Sequence, residues 1–403
     1  MRIGLVTGEF PPMEGGVGAF TEQLARALAT MGHEIHIITS TRARPTDAPR
    51  TLSSLRKPFD LGYAHLHPRI GRWRWPSLSA VADLAIRYDL EVVNLQYQAA
   101  AFNMNSAAIN YLPWRFKSIG PVVATFHDLR VPYLFPKAGN LRERAVRGLA
   151  RNAAACIATN RTDFMQLLRW TDNPVRRIPI GSNIDSYAPN HVEIEEARLL
   201  LGLGEDDFLL GYFGFLNETK GADTLVDALS RLDERYHLVF IGGQTGASDP
   251  DNNQSFLQQL RGQVEREGLS GRVHWTGFVP AERVSTFLVA SDLMVMPYQD
   301  GVSLRRGSLM AVLAHGRPLI TTCPGDGSPE FRHGENMWLL PPNEPNELAE
   351  AIKLLAGDSH LRAQLGQGAS DLAQSYGWDA IAAQTVALFN DIMASGAGEE
   401  PNV

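Results

Sequence analysis

Cysteine is nearly absent from this 403-residue sequence: Cys156 and Cys323 lie far apart and share no ligand-like spacing. That argues against a disulfide framework and against a zinc site, and it points to a reducing compartment. No apolar run is long enough to span a bilayer, and Met1-Arg2-Ile3-Gly4-Leu5-Val6 runs into a strand rather than a signal peptide. The expected location is the cytoplasm, with peripheral contact at the inner face of a membrane left open. A basic excess is missing too. The formal net charge of −7 argues against nucleic acid as a partner. Lysine is scarce, since nearly all of the 37 basic residues are arginines. What is present, 44% apolar and 20% charged residues, fits a globular protein of two ordinary domains.

Strands and helices alternate. Ile3–Thr7 reads as a buried strand, and Phe20, Leu24, Leu28 and Met31 recur at helical spacing before Gly32. Glu34–Thr39, Leu90–Leu95 and Pro121–Phe126 are further strands. The region from Thr51 to Arg74 reads as a long mobile loop. Leu141–Ala155 is a helix with Asn140 as its expected N-cap, followed by strands Cys156–Thr159 and Val175–Ile180. From Tyr187 to Glu205 the pattern is polar, with a short helix near Glu193–Leu201, and reads as an inter-domain link. A second α/β unit follows, from strand Phe208–Phe213 to helix Ser359–Gln374, and a last helix spans Trp378–Ala394. This rhythm predicts α/β architecture with two Rossmann-like parallel-sheet domains. The expected domains are 1–187 and 188–375, with a C-terminal helix at 376–395 and a flexible tail at 396–403. Ligands of such sheets bind outside the carboxyl ends of the strands, so one cleft between the domains is expected.

Three loops carry candidate chemistry. Gly211–Phe213 ends a strand, and Asn217-Glu218-Thr219-Lys220-Gly221 leads into a helix. A lysine at a helix mouth joins free N–H groups and a positive dipole end, an arrangement suited to phosphate. Asp300-Gly301-Val302-Ser303-Leu304-Arg305-Arg306-Gly307-Ser308 lies likewise between a strand and a helix. One lysine and two arginines at the same sheet end would neutralise a diphosphate without a metal. In the first domain, Glu9–Gly18 joins strand to helix through Gly15 and Gly16, and a plain turn explains it as well as an anion site does. It is not the dinucleotide fingerprint. His127-Asp128 ends a strand. His127 would donate to a sugar hydroxyl or a developing charge, and Asp128 would fix its tautomer or bind a hydroxyl. His33, His65 and His360 read as surface or turn residues. Arg142, Arg144, Arg147 and Arg151 read as a solvated helix face rather than a lipid contact.

Together these residues resemble the retaining, nucleotide-sugar-dependent glycosyltransferases of family 4 (group 1), which have the GT-B fold. The likeness runs from Met1 to about Ala394. It rests on the ordered set Pro11-Pro12 with Gly15-Gly16, Phe126-His127-Asp128, Ile178–Asp185, Lys220-Gly221, Val273–Pro280, Ala290-Ser291-Asp292 and Ala314-His315-Gly316-Arg317-Pro318. The resemblance implies an acceptor-side first domain and a second domain holding the donor. Gly16 and Lys220 would face the donor diphosphate, His127 would sit near the transferred sugar, and the last helix would return to the first domain. Retention would follow front-face attack in a tight ion pair, the leaving phosphate taking the acceptor proton.

Two departures stand out. Phe215 occupies the place of a family arginine. Ser303 and Ala311 occupy the places of two glutamates, of which the second binds the nucleotide ribose. Arg305 and Arg306 are expected to supply the missing charge, with Gly307 and Ser308 offering amides. Asn217, Glu218, Asp300, Gly301 and Ser303 would take over hydroxyl contacts. The base and sugar would be read around Gly242-Gly243 and Val279-Pro280. The expected enzyme moves a hexosyl-type group to a glycan, lipid-linked or small acceptor. It uses no cofactor beyond the nucleotide sugar and no metal, and its oligomeric state is unassigned. A sugar-nucleotide epimerase or hydrolase and a non-catalytic glycan- or nucleotide-binding protein stay open as alternatives. Trp73, Trp75, Tyr97, Tyr111 and Trp114 are candidates for stacking on acceptor sugars.

Overall fold

The computed structural model describes residues 1–13, 15–45, 57–129, 131, 140–182, 184, 187–242, 250–325 and 327–396. The tail from 397, and Asn183, Asp185 and Gly243 named above, lie outside the described residues. The chain divides into two compact units, Met1–Ile180 with the segment from Trp378, and Gly181–Gly377.

The first unit is built on β1 (Arg2–Thr7), β2 (Glu34–Ser40), β3 (Phe59–Asp60), β4 (His65–Ile70), β5 (Val92–Tyr97), β6 (Val122–Phe126), β7 (Ala155–Ala158) and β8 (Val175–Arg177). They form one eight-stranded sheet in the order β3-β4-β2-β1-β5-β6-β7-β8. Every pair is parallel except β3 with β4. The inner strands are apolar almost throughout because both faces are covered. Ile3 and Leu5 pack into a core with Phe20, Leu24 and Leu28 of α1 (Gly16–Thr30). Val6, Leu95 and Phe126 pack into the other core with α2 (Trp75–Arg87), α4 (Leu112–Arg115) and α5 (Leu141–Asn152); α3 (Ala99–Phe102) and α6 (Arg161–Trp170) also belong to this unit.

Several expectations are corrected here. The segment read as a loop contains β3 and β4, and Leu66 and His67 are buried. Proline inside the run His65–Ile70 hid the strand, since it cannot donate to a ladder. Asn140 makes no capping bond, and its φ and ψ of −66° and −11° are already helical. Arg147 and Arg151 do not form a purely solvated face: the Arg151 Nε donates to the Trp170 carbonyl at 2.9 Å, and the Arg147 guanidinium lies 6.0 Å from the same indole. Helix α6 carries a signal that the reading passed over, Asn160 accepting from the Asp163 amide at 2.9 Å.

The second unit holds α7 (His191–Leu200), β9 (Phe208–Phe213), α8 (Ala222–Leu229), β10 (Tyr236–Ile241), α9 (Pro250–Arg266), β11 (Val273–Gly277), α10 (Ala281–Ala290), β12 (Leu293–Met296), α11 (Gly307–Ala314), β13 (Leu319–Thr322), β14 (Trp338–Leu340), α12 (Pro345–Gly357) and α13 (Ser359–Gln374). Its six-stranded sheet runs β11-β10-β9-β12-β13-β14 and is parallel throughout. Leu210, Tyr212, Leu238 and Phe240 pack against α8, α9 and α12. The segment read as a link is part of this unit. A capping box starts α7, with the Glu193 amide donating to Asn190 at 3.0 Å and the Asn190 amide to Glu193 at 2.8 Å. Arg198 then anchors the helix, donating to Asp292 at 3.0 Å and to the Ala290 carbonyl at 3.0 Å. The last helix, α14 (Trp378–Gly396), packs in the first unit, where Ile381 and Phe389 join the α1 core and Trp378 meets Phe20 edge-on at 5.2 Å.

Candidate functional site

In the second unit, the turn after β9 is pinned by Gly221. Its φ is +70°, and a Cβ there would fall 1.9 Å from the Pro297 carbonyl oxygen at the end of β12. Only glycine lets the two loops approach this closely. The Gln299 amide ties them by donating to the Thr219 carbonyl at 3.0 Å, and Asn217 accepts from the Thr219 amide at 3.1 Å. Lys220 is thereby held beside Tyr298, its Nζ 5.3 Å from the ring centroid, while the Arg306 guanidinium lies 3.8 Å from the same centroid. The structure thus brings Lys220 and the Asp300–Ser308 loop together.

The two arginines of that loop differ. Arg306 is packed, with its side chain 10% exposed, and pairs with Asp300, which is 55% exposed. Its Nε is buried without a partner among the described residues. Arg305 is exposed and turns back on Ser303, whose Oγ accepts from its amide at 3.3 Å and its Nε at 3.4 Å. Arg306 precedes α11 without a side-chain cap. The Gly307 and Ser308 amides have no acceptor among the described residues, as expected at an uncapped helix start. Burial, then the charge of Arg306, lowers the Lys220 ammonium to about 7; Asp300 opposes the shift and Arg305 adds to it.

Other predicted residues fall at this edge with less to offer. Glu218 is exposed, and Gly301, at φ +82°, approaches the Cys323 carbonyl. Ala311 is fully buried in α11, where its carbonyl accepts from His315 at 2.7 Å. Phe215 is 50% exposed. Tyr298, on which both cations rest, was missed. An aromatic directly after an apolar strand was the available signal.

In the first unit, the start of α1 holds its own anion. The Glu9 Oε1 accepts from the Val17 amide at 3.0 Å and the Gly18 amide at 3.2 Å. A Cβ on Gly15 would fall 2.1 Å from that oxygen, so the glycine makes room for the carboxylate. Gly16 faces open space. Burial raises the Glu9 pKa, and the two amide bonds oppose the shift. Two amides of this loop, those of Val17 and Gly18, are thus spent on Glu9, and the expected diphosphate contacts Gly15 and Gly16 are not among them.

His127 follows β6, and its amide bonds to the Tyr97 carbonyl at 3.0 Å. Its Nε2 lies 2.9 Å from Gln96 Oε1. The Gln96 amide nitrogen donates to Asn94 Oδ1, and the Asn94 nitrogen donates to the Val123 carbonyl at 3.1 Å and to Thr125 at 2.9 Å. Gln96 must then present its oxygen to His127, so Nε2 carries the proton and Nδ1 keeps its lone pair. Burial lowers the His127 pKa to about 3, and the ring is neutral at physiological pH. Gln96 thus sets the tautomer; Asp128, expected to fix it or to bind a hydroxyl, accepts from Gln98 through Oδ2 at 2.9 Å. Of the candidate acceptor aromatics, Trp73 and Tyr97 belong to the core, while Trp75, Tyr111 and Trp114 are exposed. Among the described residues no helix is long and apolar enough to cross a membrane.

Two parallel-sheet units of this topology define the GT-B class of glycosyltransferases. The solved sucrose-phosphate synthase of Thermosynechococcus elongatus matches with a TM-score of 0.74 at 22% identity, over 98% of this chain and 99% of that one. Anabaena HepE, solved in complex with UDP, matches with a TM-score of 0.71 at 20% identity, over 97% of this chain and all of that one (100%). A family model described as "Glycosyltransferase Family 4" matches residues 14–186, and one described as "Glycosyl transferases group 1" matches residues 207–358. D-inositol 3-phosphate glycosyltransferase of Corynebacterium glutamicum is 24% identical over 98% of both chains. The protein of the same name from Xylanimonas cellulosilytica is 24% identical over 96% of both. The chain belongs to glycosyltransferase family 4 (group 1) and is a glycosyltransferase.

Proposed function

We propose that this enzyme transfers a hexosyl-type group, with retention, from a nucleoside diphosphate sugar to a glycan, lipid-linked or small-molecule acceptor. The observation that carries the reading is the placement of Lys220 and Arg306 on one Tyr298 ring, beside the free amides that open α11. Solved HepE structures in complex with UDP and with UDP-glucose support a nucleotide-sugar donor here.

The C1–O bond to the diphosphate breaks as the acceptor oxygen bonds C1 on the same face. The acceptor proton passes to the leaving phosphate. Lys220, Arg306 and the α11 amides stabilise the charge growing on that phosphate, a role a divalent metal fills elsewhere. Diphosphate binding draws Lys220 fully into its ammonium form. Neutral His127 offers Nδ1 as acceptor to a sugar hydroxyl, with Gln96 fixing the ring. The reading includes a cytoplasmic location. For a lipid-linked acceptor it also includes contact with the inner face of a membrane, supported by exposed Trp75, Tyr111 and Trp114.

A thermal-shift screen of nucleoside diphosphates and sugar nucleotides identifies the base, because a bound ligand raises the melting point. Nucleotide release measured with and without acceptors then tests transfer. Acceptor-dependent release, unaffected by chelator and yielding the donor's anomer, is expected. Release without any acceptor would indicate a hydrolase or epimerase, and binding without release under any acceptor would overturn the reading.

A further inference from the structure

Parallel strands β2 and β4 pair in the register His36↔His65 and Ile38↔His67. Residues two apart in a strand share a face, so Glu34 and His36 line up beside His65 and His67. All four lie toward the amino ends of their strands, the opposite edge from the carboxyl end of β6 that carries His127. His36 and His67 are buried, His65 is half-buried and Glu34 is exposed. Tyr88 covers them, its ring 4.8 Å from both His36 and His67.

We propose that Glu34, His36 and His65 form a binding site for a divalent transition-metal cation of the zinc class, separate from sugar transfer. One oxygen of Glu34 and one nitrogen from each imidazole all lie within 4.8 Å of one another. The Glu34 Oε1 to His36 Nε2 separation is 3.0 Å. Two ligands of a tetrahedral zinc, each about 2.0–2.1 Å from the metal, stand about 3.3 Å apart, so Glu34 and His36 already stand near that spacing and His65 closes on them from within 4.8 Å. The other nitrogen of His36, Nδ1, is 3.0 Å from His67 Nε2. A ligating histidine commonly donates its second N–H to such a neighbour, which aims the first nitrogen at the metal. Binding through Nε2 takes the neutral His36 tautomer whose single proton sits on Nδ1 and is donated to His67 Nε2, so the proton is kept and not released. Two imidazoles and one carboxylate suit zinc-like ions and disfavour Mg2+ and Ca2+, which prefer oxygen; exposed Glu34 leaves the fourth position to water.

The site has structural work available. β4 carries Pro68, and its outer neighbour β3 pairs with it only through Phe59↔Leu66 and Asp60↔His65. A metal held by both β2 and β4 would clamp this weak edge of the sheet. The other histidine pair lacks the geometry. His237 meets Asp207 through Nε2 at 3.7 Å and His274 through Nδ1 at 3.2 Å, on opposite sides of its ring. Cysteine scarcity argued against a zinc site in the sequence, and His65 read there as bland. The strand register is what brings these ligands together.

The test titrates the full chain, stripped with chelator, with Zn2+. Calorimetry is expected to show one site per chain, the melting point to rise by a few degrees at saturation, and Mg2+ to do neither. Glu34→Gln and His65→Ala, both at solvent-reachable positions, should each weaken Zn2+ at least tenfold while leaving nucleotide binding unchanged. His191→Ala, which removes the exposed His191–Glu195 pair at 3.3 Å on α7, should change nothing. Absence of binding, or wild-type Zn2+ affinity in both site variants, would overturn the proposal. Co2+ gives a second readout: wild type should develop tetrahedral visible absorption that His65→Ala lacks.

Discussion

Gln96 holds His127 by a hydrogen bond of 2.9 Å, and a buried chain through Asn94 and Thr125 determines which way that bond points. Gln96 and Asn94 are fully buried polar side chains inside a parallel sheet. Such groups cost stability unless each is paired, and here the pairing ends on one imidazole nitrogen. Replacing Gln96 with Glu keeps the shape but puts a carboxylate beside Nε2. The opposite charge favours the imidazolium, so the His127 pKa should rise from about 3. Imidazole nitrogen shifts measured by NMR against pH check this. An unchanged titration would remove Gln96 as the positioning residue.

Lys220 should make diphosphate binding depend on pH. With its pKa lowered to about 7 by burial and Arg306, the free site is largely charged below that pH and increasingly neutral above it. Binding near pH 8 should take up a proton, and affinity should fall as pH rises. Calorimetry in buffers of different ionisation enthalpy measures that proton. The same shift has a stability consequence. From about 7 to the ordinary 10.5 the unfolded lysine binds the proton and the folded one does not, so this group's contribution to stability rises with pH across that window. Lys220→Ala should weaken nucleoside diphosphate binding by about 1.5–3 kcal/mol.

The two neighbouring arginines should behave differently on substitution. Arg306→Ala removes the cation packed on Tyr298 and should cost about 1.5–3 kcal/mol of diphosphate affinity. Arg305→Ala removes an exposed side chain held by Ser303 and should change affinity little. Arg306→Ala should also raise the Lys220 pKa, because a nearby like charge is gone. Titration calorimetry of the two variants side by side separates the roles.

Glu9 should act on stability. Glu9→Ala leaves the Val17 and Gly18 amides without their acceptor, and losing such a cap costs about 1–2 kcal/mol. Gly15→Ala should also destabilise the first unit, since its methyl would strike the Glu9 carboxylate. Urea unfolding of the full chain measures both, and unchanged midpoints would show that the cap is dispensable.

Gly221→Ala should uncouple the two loops of the second unit. The new methyl would collide with the Pro297 carbonyl, at a backbone angle disfavoured for any side chain. Both the melting point and nucleoside diphosphate affinity should fall. A lower melting point with intact affinity would show that Lys220 keeps its place without the contact.

Most elements were legible in the amino-acid order because their signals are local. The continuous apolar runs of β1, β9 and β12 mark strands buried on both faces, and the spacing of Phe20, Leu24 and Leu28 follows the 3.6-residue helical period. Strand β4 was not legible, since Pro68 and two histidines mask its alternation. The lysine at the start of α8 and the paired arginines before α11 were visible from residue type and spacing alone. Which arginine packs, and on what, was not. Lys220 meets Tyr298, and so Arg306, because β12 lies beside β9, and no local pattern encodes that adjacency. Gln96 reaches His127 because β5 and β6 pair in the register Gln96↔Thr125. His36 meets His65 through the register of β2 on β4. The periodic elements and the kinds of charge at the strand ends can be read from residue order, because they depend on near neighbours along the chain. The partners, the tautomer of His127 and the shifted pKa of Lys220 come only with the fold. Each of these depends on strand order, register and burial, which arise from contacts between residues far apart in the chain.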